Sequence, residues 1–309
     1  MNRYPRGVLL LAALLVAACS SPGAASPSPS VAASPPAASE SAAASASAEP
    51  SPIAGGLLEK VLKAGKIRIS TDPNYAPQSF QKPDGTYEGF DIDVANEIGK
   101  RLGVTVEFVT PDWDVITAGA WSGRWDASVG SMTITTERQK VLDFSKPYYF
   151  TPAQMSVRTD TGIKSIEELS GKTVCAGKST TYLDWLSGKK LEFQPVSPIT
   201  TPPAGIKTVA LKTDQDCPQT WAAGRNDFEG WLSSSTTVQA AIDAGQPVTK
   251  VGDPVFEEPL AVAVDKAGPP DTDFVAKLDE IVQAMHDDGT LTQFSMKWFK
   301  LDLTKAPTS

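Results

Sequence analysis

The chain has 309 residues and a formal net charge of −8, with 28 Lys and Arg against 36 Asp and Glu. An acidic balance of that size argues against a nucleic-acid partner, which demands clustered basic side chains. His286 is the only histidine, so no His/Cys cluster has metal-ligand spacing, and no motif calls for a cofactor.

Arg3 and Arg6 precede an apolar run over residues 8–18. That run is too short to span a bilayer, and residues 1–18 have the form of a signal peptide. It ends Val16-Ala17-Ala18-Cys19, which resembles a bacterial lipobox. The resemblance implies cleavage before Cys19 and a diacylglyceryl thioether on its sulfur, since two acyl chains anchor stably where one is marginal. The plainer alternative is an incidental cysteine in an uncleaved anchor. Cleavage would take the net charge from −8 to −10.

Residues 20–52 comprise 11 Ser, 11 Ala and 7 Pro among 33. Such a stretch has almost no apolar surface to offset its ordering entropy. Residues 19–56 therefore read as a lipidated Cys19 followed by a tether, with a reach of roughly 30 Å as a coil. From Leu57 the composition becomes globular and no second long apolar run follows. About 250 residues suit one large domain or two smaller ones.

Strands are expected over residues 67–71 and 105–109, with a helix over 92–102 between them. An amphipathic helix over 115–122 should stop at Gly123, and a strand should follow over 126–130. Residues 131–136 form a polar turn opening a helix, with Thr135 or Thr136 as N-cap and Glu137 and Arg138 in the first turn. A cation there opposes the helix dipole, so an anionic group is expected beside Arg138; a solvated arginine is the plain alternative. Later strands are expected over 153–158, 173–176, 227–232 and 260–264. Helices are expected over 166–169, 181–186, 219–223, 236–244, 273–287 and 291–299. This alternation favours α/β layers with mainly parallel sheets.

Cys175 and Cys217 form an even pair, which in an exported protein reads as a disulfide. It would close a loop of 41 intervening residues, worth about 4 kcal/mol on the chain-entropy account; two free buried thiols are the alternative. Gly177-Lys178-Ser179-Thr180 resembles the end of a phosphate-binding loop, but the glycine required at position 172 is Lys172. Nucleotide binding is rejected, leaving a strand, a polar turn and a helix start. No nucleophile–base arrangement stands out.

Several motifs occur in a recognisable order: Gly89-Phe90-Asp91-Ile92-Asp93-Val94, Trp113-Asp114, Ser122-Gly123, Asp126-Ala127, Gly130-Ser131-Met132-Thr133-Ile134-Thr135, Glu137-Arg138, Asp143-Phe144-Ser145 and Pro147-Tyr148-Tyr149. Together they resemble the family 3 extracellular solute-binding proteins, the receptors of polar amino-acid ABC importers, over roughly residues 57–300. The resemblance implies an α/β, two-lobed periplasmic-binding-protein-like fold (type II) with a ligand cleft between the lobes. Lobe 1 would occupy residues 57–151 and return in 253–309 with the C-terminal helices; lobe 2 would occupy 152–252.

It also implies that Arg138 holds the ligand carboxylate, a role that suits the guanidinium fork. Ser131 and Thr133 would assist from lobe 1, and Thr180 and Thr181 from lobe 2. Tyr75 and Trp113 would wall the site, and Asp72 would read the ligand's side chain. Taken singly, each has a plainer role in a turn, a cap or the core. One departure matters. Gly224-Arg225-Asn226-Asp227-Phe228 aligns with the family's G-R-x-D-A, and five residues after that Asp the family usually places an aspartate for the ligand's ammonium. Here that position is Leu232. An unpaired ammonium in a closed cleft costs about 3–5 kcal/mol. Either Glu229 or Asp72 takes over, although period-two alternation turns Glu229 away, or the ligand is a methylated or cyclic zwitterion or another organic acid.

The expected function is the lipid-anchored receptor of an ABC importer, exported to the outer face of the cytoplasmic membrane. It would be a monomer that captures a small zwitterion by hinge closure and docks on a permease. The alternatives are a cleft enzyme, such as a dehydratase of cyclic carboxylic acids with Glu229 or Asp72 as general acid, and a ligand-sensing module for another membrane protein.

Overall fold

The computed structural model describes residues 51–306. The expected signal peptide, Cys19 and nearly all of the tether lie outside the described residues. Among the described residues, no helix is long and apolar enough to cross a membrane.

The described chain opens with α1 (Leu57–Ala64) and β1 (Lys66–Ser70), then a three-stranded sheet of β2 (Asn74–Tyr75), β3 (Ser79–Gln81) and β4 (Tyr87–Glu88). Next come α2 (Phe90–Leu102), β5 (Thr105–Val109), α3 (Trp113–Thr117), β6 (Ala127–Thr133) and the long β7 (Leu142–Arg158). β8 (Thr173–Gly177), α4 (Thr181–Leu186), β9 (Lys207–Leu211), α5 (Asp216–Ala222), β10 (Gly230–Ser234), α6 (Ser235–Asp243) and β11 (Val248–Lys250) follow. β12 (Phe256–Asp265), α7 (Thr272–Asp287) and α8 (Thr290–Phe299) complete the chain.

One main sheet runs β5-β1-β6-β12-β7-β10-β8-β9, with β11 also on β7. At one end β1 pairs parallel with β5 and β6; at the other β8 pairs parallel with β9 and β10. Between these parallel blocks β7 and β12 run antiparallel, from Phe256 opposite Ala153 to Asp265 opposite Leu142. They are the crossovers, and each carries a share of both lobes. Pro147, Pro152 and Pro259 lie in these strands, and the register shifts at two points along the pair. Proline supplies no ladder donor and is accommodated beside such irregularities. The same prolines hide the start of β7 from a periodicity reading, so the strand begins well before residue 153.

The first lobe's core joins Ile67 and Ile69 of β1, Phe90, Val94, Ile98 and Leu102 of α2, and Leu278, Ile281 and Met285 of α7. Their spacing of three and four residues puts each helix's apolar side chains on one face. α8 adds Leu291, so the C-terminal helices pack on the first lobe. α2 ends at Gly103, whose φ of 71° suits a left-handed cap. At its start, a Cβ on Gly89 would sit 2.2 Å from the Gln78 carbonyl oxygen, which is why only glycine fits there. The second lobe's core gathers Met155, Val157, Val174, Trp185, Leu232 and Phe256. Cys175 on β8 and Cys217 on α5 are joined in the structure, with an S–S distance of 2.00 Å.

Several local expectations fail. The helix expected over residues 115–122 starts earlier and ends at Thr117. Gly119, Ala120, Ser122 and Gly123 all have positive φ. The freed amides of Ala120 and Trp121 donate to the Asp265 carboxylate at 2.9 and 2.6 Å. A contact 144 residues away thus replaces the helix's own hydrogen bonds. The strand expected to start at residue 227 instead starts at Gly230; just before it, Glu229 bonds Thr173 of β8 through both its amide and its carboxylate.

Asp265 is 6% exposed and also accepts from the Ala267 amide. Asp265→Ala leaves these donors unpaired and is expected to lower stability by about 2–3 kcal/mol. Urea unfolding checks this; an unchanged midpoint would show that the turn holds without the carboxylate.

Candidate ligand-binding cleft

Arg138 enters the cleft from a single 3-10 turn, Arg138–Lys140. The expected α-helix does not form, because β7 begins at Leu142 and draws the chain into the sheet. Without that helix the dipole argument for a nearby anion lapses; Glu137, not Thr135, stands at the N-cap of the turn, and the Thr135 hydroxyl accepts from the Arg138 amide at 3.1 Å. The guanidinium is 9% exposed. Nη1 donates to the Thr133 carbonyl and Nη2 to the Ser179 carbonyl, both at 3.1 Å. Its carbon sits 5.6 Å from the centre of the Trp113 ring. No carboxylate lies within 4.0 Å of it among the described residues. Burial lowers its pKa, opposed by Glu258, but guanidinium remains protonated in proteins.

Asp72, Tyr75, Trp113, Ser131, Thr133, Arg138, Thr180 and Thr181 all line this one cleft. Their hydrogen bonds assign them different work. Ser131, held at a φ of 54°, donates through Oγ to Asp91 Oδ2 at 2.7 Å. Tyr148 donates to the other oxygen of Asp91 at 2.8 Å and accepts the Ser131 amide at 3.0 Å. Asp91 is fully buried, and burial pushes its pKa up to about 7 against those two hydroxyl donors. Thr180 caps α4, accepting from the Leu183 amide at 3.1 Å, and donates to the Gly177 carbonyl. Thr133 and Thr181 both donate to Glu258 Oε1, Thr133 at 2.7 Å. Asp72 accepts the Asn74 amide at 2.7 Å, a local turn that leaves its second oxygen to the cleft. The Tyr75 hydroxyl is 3.5 Å from that of Tyr182.

Glu258, Asp214, Tyr182, Lys178 and Lys212 also line the cleft, and the sequence reading missed them. Glu258 carried one faint signal: an acid inside the apolar run that begins at Val255. Asp214 lies in a polar loop and carried none. Burial raises the pKa of both acids, that of Asp214 to about 7. Lys178 and Lys212 are turned to Asp114 and Asp112, at 2.9 and 2.8 Å. Of the two substitutes for the missing aspartate, Asp72 lines the cleft and Glu229 does not. Leu232 is wholly buried in the second lobe's core, so the position reached by counting does not face the cleft. Glu229 accepts the Thr173 amide at 3.0 Å, away from the lining residues.

Hydrogen bonds close the cleft on both sides. Gln78 Nε2 donates to Ser234 and Thr236, and its Oε1 accepts from Thr237. Asn74 donates to Thr213 and Gln215 to the Ala76 carbonyl. On the opposite side Trp113 Nε1 reaches the Ser179 carbonyl at 3.2 Å.

Two α/β lobes on paired crossover strands, with an arginine buried between them, define a two-lobed solute-binding protein. The model for "Bacterial extracellular solute-binding proteins, family 3" matches residues 67–301, and the chain belongs to that family. It is 30% identical over 257 residues to the L-cystine-binding protein TcyJ of Escherichia coli, covering 81% of this chain and 88% of that one. It is 26% identical over 246 residues to an L-arginine-binding protein of Pseudomonas aeruginosa, covering 77% and 89%. Among solved structures, an ancestral amino acid-binding protein, a precursor of cyclohexadienyl dehydratase, superposes with a TM-score of 0.66 at 30% identity, covering 78% of this chain and 99% of that one.

The raised pKa of Asp91 sets a pH test. An unfolded aspartate titrates near 4, whereas folded Asp91 titrates at about 7. Between those values the folded state binds more protons, so this group's contribution to stability falls as pH rises. Urea unfolding should give higher stability at pH 5 than at pH 8, by a margin that shrinks in Asp91→Asn. An undiminished margin would remove Asp91 as its source.

Proposed function

We propose that this protein is the receptor of an ABC importer and captures a small amino acid or related zwitterion by closure of the two lobes. The observation that carries this is the Arg138 guanidinium, buried between the lobes with two backbone carbonyls and, among the described residues, no carboxylate in ion-pair contact. A ligand carboxylate supplies the missing charge, and the nearby Thr133 and Thr181 hydroxyls and the Trp113 ring shape its seat. Ser179 of the second lobe already touches that guanidinium, so ligand and lobe closure share one group. Binding stabilises the closed form only through its differential affinity for that form.

We read the protein as binding rather than transforming its ligand. The dehydratase alternative needed Glu229 or Asp72 as acid; Glu229 is engaged with β8 outside the cleft, and Asp72 lines the cleft, where it accepts the Asn74 amide. The reading extends to an exported, monomeric receptor with an oxidised Cys175–Cys217 pair, held at the membrane through lipid on Cys19.

Isothermal titration against the standard amino acids, cystine and betaines tests the receptor. Arg138→Ala is expected to weaken the tightest ligand by about 100-fold or more. Equal binding by both proteins would defeat the clamp. In cells, Cys19→Ser should move the protein from the membrane fraction to the soluble fraction; unchanged membrane association would refute lipid attachment at that residue.

A further inference from the structure

Glu258 has no assigned role, yet it is the most completely buried acid lining the cleft, at 1% exposed. It lies on crossover strand β12, opposite Thr151 of β7. Oε1 takes hydroxyl hydrogens from Thr133 and Thr181, one from each lobe. Oε2 is buried and meets no donor in hydrogen-bond geometry, although the Tyr182 hydroxyl lies near enough to Glu258 to lower its pKa. A buried carboxylate oxygen without a donor is costly, and the cations that line the cleft direct their hydrogen bonds and ion pairs elsewhere. The charged and titratable groups facing Glu258 are Arg138, Tyr182, Tyr75 and Asp214. Arg138 makes its hydrogen bonds elsewhere, and Lys178 and Lys212 are paired with acids at the cleft rim. The end of β10 offers no carboxylate, since Leu232 is in the core.

An amino acid carries its ammonium one carbon from its carboxylate, so a ligand clamped on Arg138 needs an acceptor in the same cleft. We propose that Glu258 is the specificity-determining residue that accepts the ligand's ammonium through Oε2, admitting acids that carry an amino group and rejecting those that lack one. The assignment rests on the receptor reading above. It gives the two carboxylate oxygens separate duties: Oε1 ties the lobes together and Oε2 reads the ligand.

The test compares the tightest-binding amino acid from the titration panel with its des-amino carboxylic acid, on the full-length protein and its variants. Glu258→Gln should weaken the amino acid by about 30-fold or more and leave the des-amino acid nearly unchanged. Glu258→Asp, which keeps the charge, should fall between. Arg138→Ala should weaken both acids. Equal weakening of both by Glu258→Gln, or no loss for the amino acid, would overturn the assignment. If no amino acid binds the unaltered protein, the receptor reading itself fails and takes this proposal with it. Should circular dichroism show the Gln variant unfolded, the unaltered protein still decides. Burial raises the Glu258 pKa, so the preference for the amino acid should weaken as falling pH protonates the carboxylate. A preference that does not change with pH would overturn the assignment.

Discussion

The structure depends on the antiparallel pairing of β7 with β12. Each strand contributes to both lobes, and the register along them decides what faces the cleft. β12 pairs on its other edge with β6, where Leu260 lies opposite Thr133. That places Glu258 within reach of the Thr133 hydroxyl, while the turn after β6 delivers Arg138. The second lobe answers through β8 and α4, whose connecting turn brings the Ser179 carbonyl and the Thr181 hydroxyl to the same point.

The cleft is electrostatically uneven. One guanidinium faces Asp72, Asp214 and Glu258, and burial raises the pKa of all three acids. The two lysines that could balance them are paired at a half-exposed rim, where ion pairs contribute little. A cleft of this kind holds acids that bear charge only at a cost, and a ligand bringing both a carboxylate and an ammonium relieves both signs at once. The Gln78 cluster of amide and hydroxyl hydrogen bonds holds the lobes together without using any charge.

Much of this was legible in the sequence, for identifiable reasons. β1, β5, β8, α2, α4, α7 and α8 follow their hydrophobic periods and caps, because their partners lie in the same lobe. The eight candidate residues converge because their motifs sit at the ends of those elements. The failures share a different cause. The stretch after Thr117 is shaped by Asp265 and the start of β10 by Thr173, partners that local pattern cannot foresee. Counting from Gly224 to Leu232 fails for the same reason: the strand starts later than the motif implies, so the counted residue turns into the core. Glu258 was overlooked because the acid pair Glu257-Glu258 in an apolar run reads as a strand edge until the register is known.

A crystal structure of the purified protein with the small molecule it carries, identified by mass spectrometry, tests the central claim most directly. The account predicts a ligand carboxylate within hydrogen-bond distance of the Arg138 guanidinium, enclosed between the lobes. A ligand bound elsewhere, with Arg138 still held only by the Thr133 and Ser179 carbonyls, would contradict it.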